Sequence, residues 1–580
     1  PAPASGLVEP GRIALASQSG AFGAYAYAMA RERGIGLSLW ATTGNEADLQ
    51  LADCLDWMAR DPDTDVVMVY MEGCRDGARL CEAFEAARER GKTVVAIKVG
   101  STGLGAQAAA SHTAALAGDE RVYDAVFRRH GVIRARTITD FFGFAHAAAT
   151  AGRPRRASIG LFTVSGGVGA LMADDAQEAG LDVPALSEAT QQSIKALVPF
   201  AATRNPLDIT GQVTSEPGLL TQAADLMLAD GQYGSWIAFM AAGGASDKFW
   251  PTLERLMRGL RDRYPQTVLA LCTLLAPARR RELEAQGVLV FADPTDAIRT
   301  LGVLSVGDQR AAGTAAPGED DRPDGAGRGK DIGEGKGIDA QAIADAADQL
   351  VAIGTGAMSE AEALRVLARA GVPVVPHEVV TDENGLDGAL SRIAPPFVLK
   401  IVSRDIAHKS DVGGVALDVR DAAQARRVFT SMRQAVRARR PDARIDGVLV
   451  APMVGGGIEC LVGVHRDPVF GLVLMFGLGG IHVELLDDVS VRPLPISRRE
   501  ALAMIGEIRG SKVLAGSRGQ APVDRDALAD LLGVVAALAE RIGERLNGLG
   551  LNPVLARPAA EGGCVVLDAL LTIGESHGTE

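Results

Sequence analysis

A histidine among small residues is the first candidate for chemistry in this chain. His112 lies within residues 108–118, where nearly every neighbour is alanine, serine, threonine or glycine. The run follows an apolar stretch at 93–99 that is typical of a buried strand. Small neighbours leave room beside the ring, and imidazole is nucleophilic at neutral pH because much of it is unprotonated. We therefore predict that His112 carries a phosphoryl group; the alternative is a structural or surface histidine.

A carboxylate is needed to orient that imidazole, because the hydrogen bond made by one ring nitrogen determines whether the other nitrogen carries a proton. Glu72 directly follows an apolar run at 66–71, at the end of a predicted strand. We predict that Glu72 is this partner. The alternative is an exposed carboxylate at a strand end.

Two short turns of serine and glycine each connect a predicted strand to a predicted helix. One contains Ser19 and Gly20, and the other contains Ser165, Gly166 and Gly167. The first N–H groups of a helix have no intrahelical partner, and together with the helix dipole they form an anion site. The two turns together predict a phosphate that is held from two sides. They also indicate a weak internal repeat, because each follows a strand and precedes a helix. The alternative is ordinary helix–sheet packing, in which such turns are common.

Lys400 lies within an otherwise apolar strand predicted at 397–402, where an unpaired ammonium group would be costly. A nucleotide phosphate would pair with it, and so would a carboxylate in a buried salt bridge. Gly413 and Gly414 follow in a segment whose backbone can approach phosphate groups. This glycine pair predicts either a mobile loop or a static turn.

Asn552 and Asp568, near the end of the chain, offer two hard oxygen ligands. Magnesium typically takes few protein oxygens together with water and substrate phosphates. The two residues together therefore predict a magnesium site.

Strand-like and helix-like stretches alternate along most of the chain, which predicts α/β domains with parallel sheets covered on both faces. Residues 1–152 and 153–310 follow the same plan, and a third region spans 339–580. Residues 311–338 are rich in Gly, Pro, Ala, Asp and Arg without an apolar period, which is typical of a disordered linker.

The composition excludes several classes of protein. The formal net charge of −13 argues against binding nucleic acid through its phosphates. The six cysteines form no CxxC pair, which favours a reduced cytoplasmic protein. There is no apolar run long enough to cross a membrane and no signal peptide, so we expect no membrane association.

Taken together, these residues resemble the nucleoside-diphosphate-forming (ADP-forming) acyl-CoA synthetases of the succinyl-CoA synthetase superfamily. The resemblance spans nearly the whole chain except the predicted linker. It is carried by residues 17–21 (SQSGA), 44–48 (GNEAD), 72–73 (EG), 111–118 (SHTAALAG), 205–208 (NPLD), 408–414 (HKSDVGG), 462–468 (VGVHRDP), 476–480 (FGLGG) and 552–553 (NP).

The resemblance implies an α/β protein with two flavodoxin-like doubly wound domains followed by an ATP-grasp domain. It implies that His112 is a phosphohistidine oriented by Glu72, and that His408 relays phosphate to a distant nucleotide site. The residues implied at the ATP/ADP and Mg²⁺ sites are Lys400, Gly413, Gly414 and Glu459 for the nucleotide, and Asn552 and Asp568 for the metal. The implied reaction joins a carboxylic acid to coenzyme A with ATP, through an acyl phosphate, releasing ADP and phosphate.

The chain departs from the family pattern in two respects. Members normally begin with a CoA-binding domain, which would precede Pro1, so we expect either a fragment or a separate chain that supplies it. We also expect a homo-oligomer or association with such a domain. Gly548 and Gly550 stand where members often carry acidic residues. The alternative functions are a regulatory or protein-acylating relative and a degenerate nucleotide-binding scaffold.

Overall fold

The computed structural model describes residues 6–102, 104–105, 119–211, 216–231, 233–312, 339–406, 408–480, 488–516 and 521–574. The chain divides into two compact units. The first comprises residues 1–117 and 126–318, and the second comprises 118–125 and 319–580. Both predicted flavodoxin-like regions thus belong to one unit. The predicted linker from 313 onwards lies outside the described residues.

Five parallel strands form the first sheet of the first unit, in the order β2-β1-β3-β4-β5. This is the strand order of flavodoxin-like folds. The strands are β1 (Pro10–Ser17), β2 (Leu37–Thr42), β3 (Val66–Met71), β4 (Thr93–Lys98) and β5 (Ile133–Arg134). The accompanying helices are α1 (Gly20–Glu32), α2 (Leu51–Arg60), α3 (Gly77–Glu89), α4 (Glu120–Arg129) and α5 (Ile138–Ala151).

The second sheet of this unit repeats the same order, β10-β9-β8-β6-β7, when it is read from its other edge. Its strands are β6 (Ile159–Thr163), β7 (Leu207–Asp208), β8 (Ser235–Phe239), β9 (Val268–Cys272) and β10 (Leu289–Phe291). Its helices are α6 (Gly166–Glu178), α7 (Glu188–Leu197), α8 (Pro217–Asp230), α9 (Trp250–Arg263), α10 (Pro277–Glu284) and α11 (Pro294–Ala312). The predicted internal repeat is therefore present in the topology.

The two sheets of the first unit share one apolar core. Phe141 of α5, Leu301 of α11, Leu15 of β1 and Ile237 of β8 belong to a single cluster of buried residues. The central strands are apolar at nearly every position because helices cover both faces of each sheet. This explains why the strands were recognisable in the sequence.

The second unit contains two antiparallel sheets. A four-stranded sheet has the order β12-β15-β13-β14, and its strands are β12 (Glu378–Val380), β13 (Phe397–Val402), β14 (Val415–Val419) and β15 (Gly447–Pro452). A seven-stranded sheet contains β11 (Gly356–Ala357), β16 (Ile458–Asp467), β17 (Gly471–Leu478), β18 (Val489–Pro493), β19 (Leu546–Ala556), β20 (Cys564–Val566) and β21 (Ala569–Ile573).

Helices cover these sheets and close the largest buried cluster of the second unit. They are α12 (Ala340–Ile353), α13 (Glu360–Arg369), α14 (Glu383–Arg392), α15 (Ala422–Arg439), α16 (Arg498–Glu507), α17 (Ser511–Leu514) and α18 (Arg525–Ile542). The first part of α4, residues 120–125, belongs to this unit, whereas its last part belongs to the first unit; Val122 and Ala125 pack with Val473 and Val491. No helix in the described part of the chain is long and apolar enough to cross a lipid bilayer.

One apolar run that reads as a continuous strand is broken in the structure. β20 ends at Val566 and β21 begins at Ala569. Between them, the Leu567 N–H donates to the carbonyl oxygen of Pro553 at 3.0 Å, and the Asp568 carbonyl accepts from the Asn552 N–H at 3.3 Å. Both bonds keep the register of the flanking ladders, in which Val554 pairs with Val566 and Leu551 with Ala569, so Asp568 lies opposite Asn552 across the interruption.

Glu362, in the first turn of helix α13, makes the stability of the protein depend on pH in the acid range. Its carboxylate accepts from the Ser359 N–H at 3.0 Å and from Arg404 Nε at 3.0 Å. Burial alone would raise the pKa of Glu362, but Arg404 and Ser359 outweigh it and lower the pKa to about 2. A carboxyl group with a depressed pKa contributes stability above its unfolded pKa, and this contribution is lost as the pH falls through the folded value.

Glu362→Gln is therefore expected to lower the free energy of unfolding at pH 7 by about 2 kcal/mol. The difference from the wild type should shrink as the pH falls from 4.5 towards 2. Guanidinium unfolding at a series of pH values measures this, with the exposed Glu561→Gln as the control. A difference that does not change with pH would contradict the assignment.

Candidate functional site

The loop that carries Glu72 is held by one buried amide. Gln18, at the carboxyl end of β1, is 6% exposed. Its side-chain oxygen accepts from the N–H groups of Glu72 and Gly73, the latter at 3.1 Å. Its side-chain nitrogen donates to the Gly73 carbonyl at 2.9 Å and to Glu46 Oε1 at 2.9 Å. All four hydrogen-bonding positions of the amide are used, so the Glu72 backbone has one defined place.

Glu46 supports this arrangement from the other side. It is 7% exposed, and its Oε1 also accepts from the Leu51 N–H at 2.7 Å. Its backbone has φ of +52°, which is unusual for a residue other than glycine. Such strain is retained where the surrounding contacts over-determine it, and it is frequent near functional sites. The Glu72 side chain itself is half-buried at this edge of the sheet.

Gln18→Leu is expected to lower the free energy of unfolding by about 3 kcal/mol, because it leaves several buried polar groups without partners. Denaturant unfolding at neutral pH measures the change. Gln177→Leu, an exposed change on α6 in the same unit, is the control. Equal stability of the two variants would show that the Gln18 hydrogen bonds do not hold this loop.

The two serine–glycine turns share one pair of hydrogen bonds. Ser17 Oγ donates to the Ser19 carbonyl at 2.8 Å and accepts from the Ser19 N–H at 3.2 Å. Thr163 Oγ1 makes the same two bonds to Ser165, at 3.1 and 3.0 Å. Helices α1 and α6 then begin at the following glycine, and neither has an acidic residue in its first turn.

The two helix starts differ in their neighbours. A Cβ atom at Gly20 or Gly167 would meet nothing within 4 Å, whereas one at Gly166 would lie 3.1 Å from Asp208 Oδ2. The positive end of the α6 dipole therefore already has a carboxylate beside it, which competes with an added anion. The α1 start has no such neighbour among the described residues. Of the two turns, the first offers the more favourable environment for a phosphate.

In the second unit, Lys400 belongs to a cluster of four charged side chains. Lys400 Nζ lies 2.7 Å from Glu360 Oε1 and 2.9 Å from Asp568 Oδ2, and it donates to the Leu567 carbonyl at 2.8 Å. Lys409 Nζ lies 3.0 Å from Glu360 Oε2 and 3.7 Å from Asp568 Oδ1. We call Lys400, Lys409, Glu360 and Asp568 the charge cluster. The salt-bridge alternative for Lys400 is thus the observed one.

Burial alone would lower the pKa of Lys400, but the Glu360 and Asp568 carboxylates outweigh it and raise the pKa above its usual value. The ammonium group therefore stays charged. Its side chain is 11% exposed and that of Asp568 is 27% exposed, whereas Glu360 is almost completely buried. The open side of the cluster is the Asp568 side, where an incoming phosphate or cation would meet the charges first.

Asn552 and Asp568 meet the chemical requirements of a magnesium site. The Asn552 N–H donates to the Asp568 carbonyl at 3.3 Å, so the two residues are adjacent although distant in sequence. An amide oxygen and a carboxylate are hard ligands, and Mg²⁺ needs few of them when water and phosphates complete its shell. No set of three or more His, Cys, Asp or Glu side chains suited to a metal ion occurs among the described residues. A cation here would thus depend on the nucleotide.

The glycine pair forms a defined turn beside the charge cluster. Gly413 has φ of +73° and ends a short 3₁₀ turn, Ser410–Val412. A Cβ atom at Gly414 would lie 2.6 Å from Ile401 Cγ2, so only glycine fits there without a shift. The Gly414 N–H donates to the Lys409 carbonyl at 2.7 Å. The structure therefore shows a turn packed on β13.

The remaining predicted residues are placed as follows. His408 is exposed and directly precedes Lys409. Glu459 lies at the start of β16, where it lines a cavity of about 750 Å³ with Leu478, Gly480 and Val513. Within the described part of the chain, no hydrogen bond or ion pair joins Glu459 to the charge cluster. His112 lies outside the described residues.

The family's acidic positions at Gly548 and Gly550 lie in β19, opposite His465 and Gly463 of β16. Both glycines therefore lie within the paired part of the seven-stranded sheet.

Cysteine does not supply an alternative nucleophile. The six cysteines are unpaired. Burial raises the pKa of Cys74, Cys272 and Cys460 to about 12, so these thiols remain protonated at neutral pH.

Reasoning from the sequence missed four residues of the site: Gln18, Glu46, Glu360 and Lys409. The first two lie inside quoted motifs, and Lys409 follows His408, so their positions were visible but not their contacts. The sequence marked Glu360 only as the start of a predicted helix. Its role in the site was not visible, because its partners are distant in sequence.

Comparison with known proteins identifies the family. A family model described as a succinyl-CoA ligase-like flavodoxin domain matches residues 10–148. A model described as an ATP-grasp domain matches residues 349–573. These matches confirm the predicted fold class of flavodoxin-like and ATP-grasp domains.

Individual relatives match over most of the chain. It is 34% identical to acetate–CoA ligase (ADP-forming) I of Archaeoglobus fulgidus over 573 residues, which is 98% of this chain and 78% of that protein. It is 30% identical to 4-hydroxybutyrate–CoA ligase (ADP-forming) of Nitrosopumilus maritimus, over 96% of this chain and 77% of that protein. The subunit beta of acetate–CoA ligase (ADP-forming) I of Pyrococcus furiosus is 41% identical, over 37% of this chain and 90% of that protein. The chain therefore belongs to the family of ADP-forming acyl-CoA ligases.

Proposed function

We propose that this chain joins a small carboxylic acid to coenzyme A at the expense of ATP, with His112 as the phosphate carrier between two sites. The observation that carries the proposal is the charge cluster beside Asn552. The ATP-grasp domain brings together Lys400, Asp568 and Asn552. Lys409, which pairs with Asp568, is the residue that follows His408 in the chain.

In this proposal, the γ-phosphoryl group of ATP passes to an imidazole nitrogen and ADP leaves. The phosphoryl group then moves from His112 to an oxygen of the carboxylate, which forms an acyl phosphate. The thiol of CoA attacks the carbonyl carbon and phosphate departs. Splitting the ligation in this way converts a carboxylate oxygen, which is a poor leaving group, into a good one.

Each charged residue has a separate role. Lys400 neutralises the nucleotide phosphates, and Asn552 and Asp568 hold Mg²⁺, which screens the charge on those phosphates when it is bound. His408 accepts and passes on the phosphoryl group near the nucleotide. Glu72 orients His112 from the backbone position that Gln18 and Glu46 hold. The first turns of α1 and α6, with Ser19, Gly20, Ser165, Gly166 and Gly167, bind the phosphoryl group.

We propose a small acid, on the analogy of the relatives named above, which are ligases for acetate and 4-hydroxybutyrate. A CoA-binding domain associates with the chain, which agrees with a family in which some enzymes are divided into subunits. The unpaired cysteines favour a reducing, cytoplasmic location.

The test is a panel of carboxylic acids with ATP, Mg²⁺ and CoA, with and without an added CoA-binding domain from a relative. We expect ADP and phosphate to form in equal amounts, and only when both acid and CoA are present. Formation of AMP and pyrophosphate, or transfer of the acyl group to lysine without free acyl-CoA, would contradict the proposal.

A further inference from the structure

The two carboxylates of the charge cluster are not equivalent. Glu360 is the first residue of α13, after the capping residue Ser359, and its side chain is 1% exposed. It faces one ammonium group with each oxygen, at 2.7 Å for Lys400 and 3.0 Å for Lys409. Asp568 is 27% exposed and stands farther from both lysines, at 2.9 and 3.7 Å. Glu360 is the inner, closer and more buried counter-charge.

This asymmetry matters because one of the two carboxylates has a second task. The cluster holds two ammonium groups and two carboxylates, so it is neutral as it stands. When Asp568 binds a cation, the lysines lose part of one counter-charge. Two ammonium groups without a carboxylate between them would repel each other strongly in a poorly solvated site. Glu360 is the group that can remain between them.

The same carboxylate also fixes the segment that carries His408. Lys409 follows His408 directly, its side chain pairs with Glu360, and its carbonyl accepts from the Gly414 N–H at 2.7 Å. Lys409 is thus anchored at both its side chain and its backbone. A change at Glu360 would alter one of these two anchors.

We propose that Glu360 is a positioning residue of the nucleotide site, which holds Lys400 and Lys409 in place and leaves Asp568 free to bind Mg²⁺. The inference rests on the proposed function, because it requires that Asp568 bind the metal. Without Glu360, Asp568 is the only carboxylate left to both lysines and is no longer available to the cation. Glu360 touches neither substrate nor metal and acts through its neighbours.

The experiment measures ADP binding by calorimetry, with and without Mg²⁺, in the wild type and in Glu360→Gln. We expect the factor by which Mg²⁺ strengthens ADP binding to fall by roughly tenfold in the variant, since this factor is the coupling between the two ligands. Binding of ADP without Mg²⁺ should change by less than about threefold, because Lys400 and Lys409 remain. Glu378→Gln is the matched control, as it breaks an ion pair with Arg392 in the same unit.

Each outcome separates the inference from the proposed function. A wild type in which Mg²⁺ does not strengthen ADP binding overturns both. A wild type that responds to Mg²⁺, with an equal response in Glu360→Gln, overturns the inference alone. Equal weakening of ADP binding with and without Mg²⁺ would indicate a merely structural role and also overturns it.

A shorter side chain provides a second variant if Glu360→Gln does not fold. Glu360→Asp keeps the charge but cannot reach both lysines as closely. We expect the factor by which Mg²⁺ strengthens ADP binding to fall by about threefold, which is a smaller loss than in the glutamine variant. An unchanged Mg²⁺ effect in the folded aspartate variant would overturn the inference.

Discussion

Replacement of His112 by alanine is expected to remove the phosphoryl group carried on that residue and to lower kcat/KM for acyl-CoA formation by at least about 10³-fold, or roughly 4 kcal/mol of transition-state stabilisation. The reason is that His408, the other imidazole of the proposed relay, accepts phosphate near the nucleotide and is not the group proposed to transfer it to the carboxylic acid. Burial also raises the pKa of the Cys74, Cys272 and Cys460 thiols to about 12, so they remain protonated at neutral pH. Incubation with γ-labelled ATP and Mg²⁺, followed by measurement of acid-labile protein-bound phosphate, tests the expectation.

Binding of ADP separates loss of the carrier from loss of the fold. His112→Ala should bind ADP as tightly as the wild type, because the charge cluster and Asn552 are unchanged. His377→Ala is the control, since its Nδ1 lies 3.0 Å from the Val375 carbonyl oxygen and it has no proposed role in phosphate transfer. Undiminished acid-labile label in His112→Ala would refute the assignment of the carrier.

Replacement of Lys400 by methionine is expected to weaken ADP binding by about a hundredfold and to destabilise the protein by about 3 kcal/mol. Two effects act together. The nucleotide phosphates lose a buried cation, and Asp568 and Glu360 lose the closer of the two lysines that they share. Removing one member of a buried ion pair is costly because the opposite charge remains in a poorly solvated place. Calorimetric ADP titration and denaturant unfolding measure the two effects separately.

The exposed Lys512→Met, on α17 of the same unit, is the matched control for the loss of a lysine charge. It should change neither quantity appreciably. If Lys400→Met retained wild-type ADP affinity while losing stability, Lys400 would be only a structural member of the cluster. The proposed nucleotide site would then have to be placed elsewhere.

Much of the fold was predictable because the sheets of the first unit are covered on both faces. β3 and β4 are apolar at nearly every position, so their sequence alone shows them as buried strands. Short edge strands gave weaker signals. β5 and β7 have two residues each and were not predicted, because two residues cannot show a period.

The candidate site was predicted in part. Lys400 was identifiable because a lysine inside an apolar strand needs a partner, but the sequence did not decide between a phosphate and a carboxylate. The structure shows the carboxylates of Glu360 and Asp568. Residues 564–569 form an apolar run that only Asp568 interrupts, whereas the structure ends β20 at Val566 and begins β21 at Ala569, with one register on β19 on both sides.

What the sequence by itself determined are the residue types and the local elements: the helix starts after Ser19 and Ser165, the buried strands, and the motifs that carry the family resemblance. These depend on short-range periodicity and backbone geometry, which neighbouring residues specify. Only the tertiary structure decided which charges meet, because Glu360, Lys400 and Asp568 lie on elements that are distant along the chain. Burial then removes water from these charges, so each must find its counter-charge through the fold.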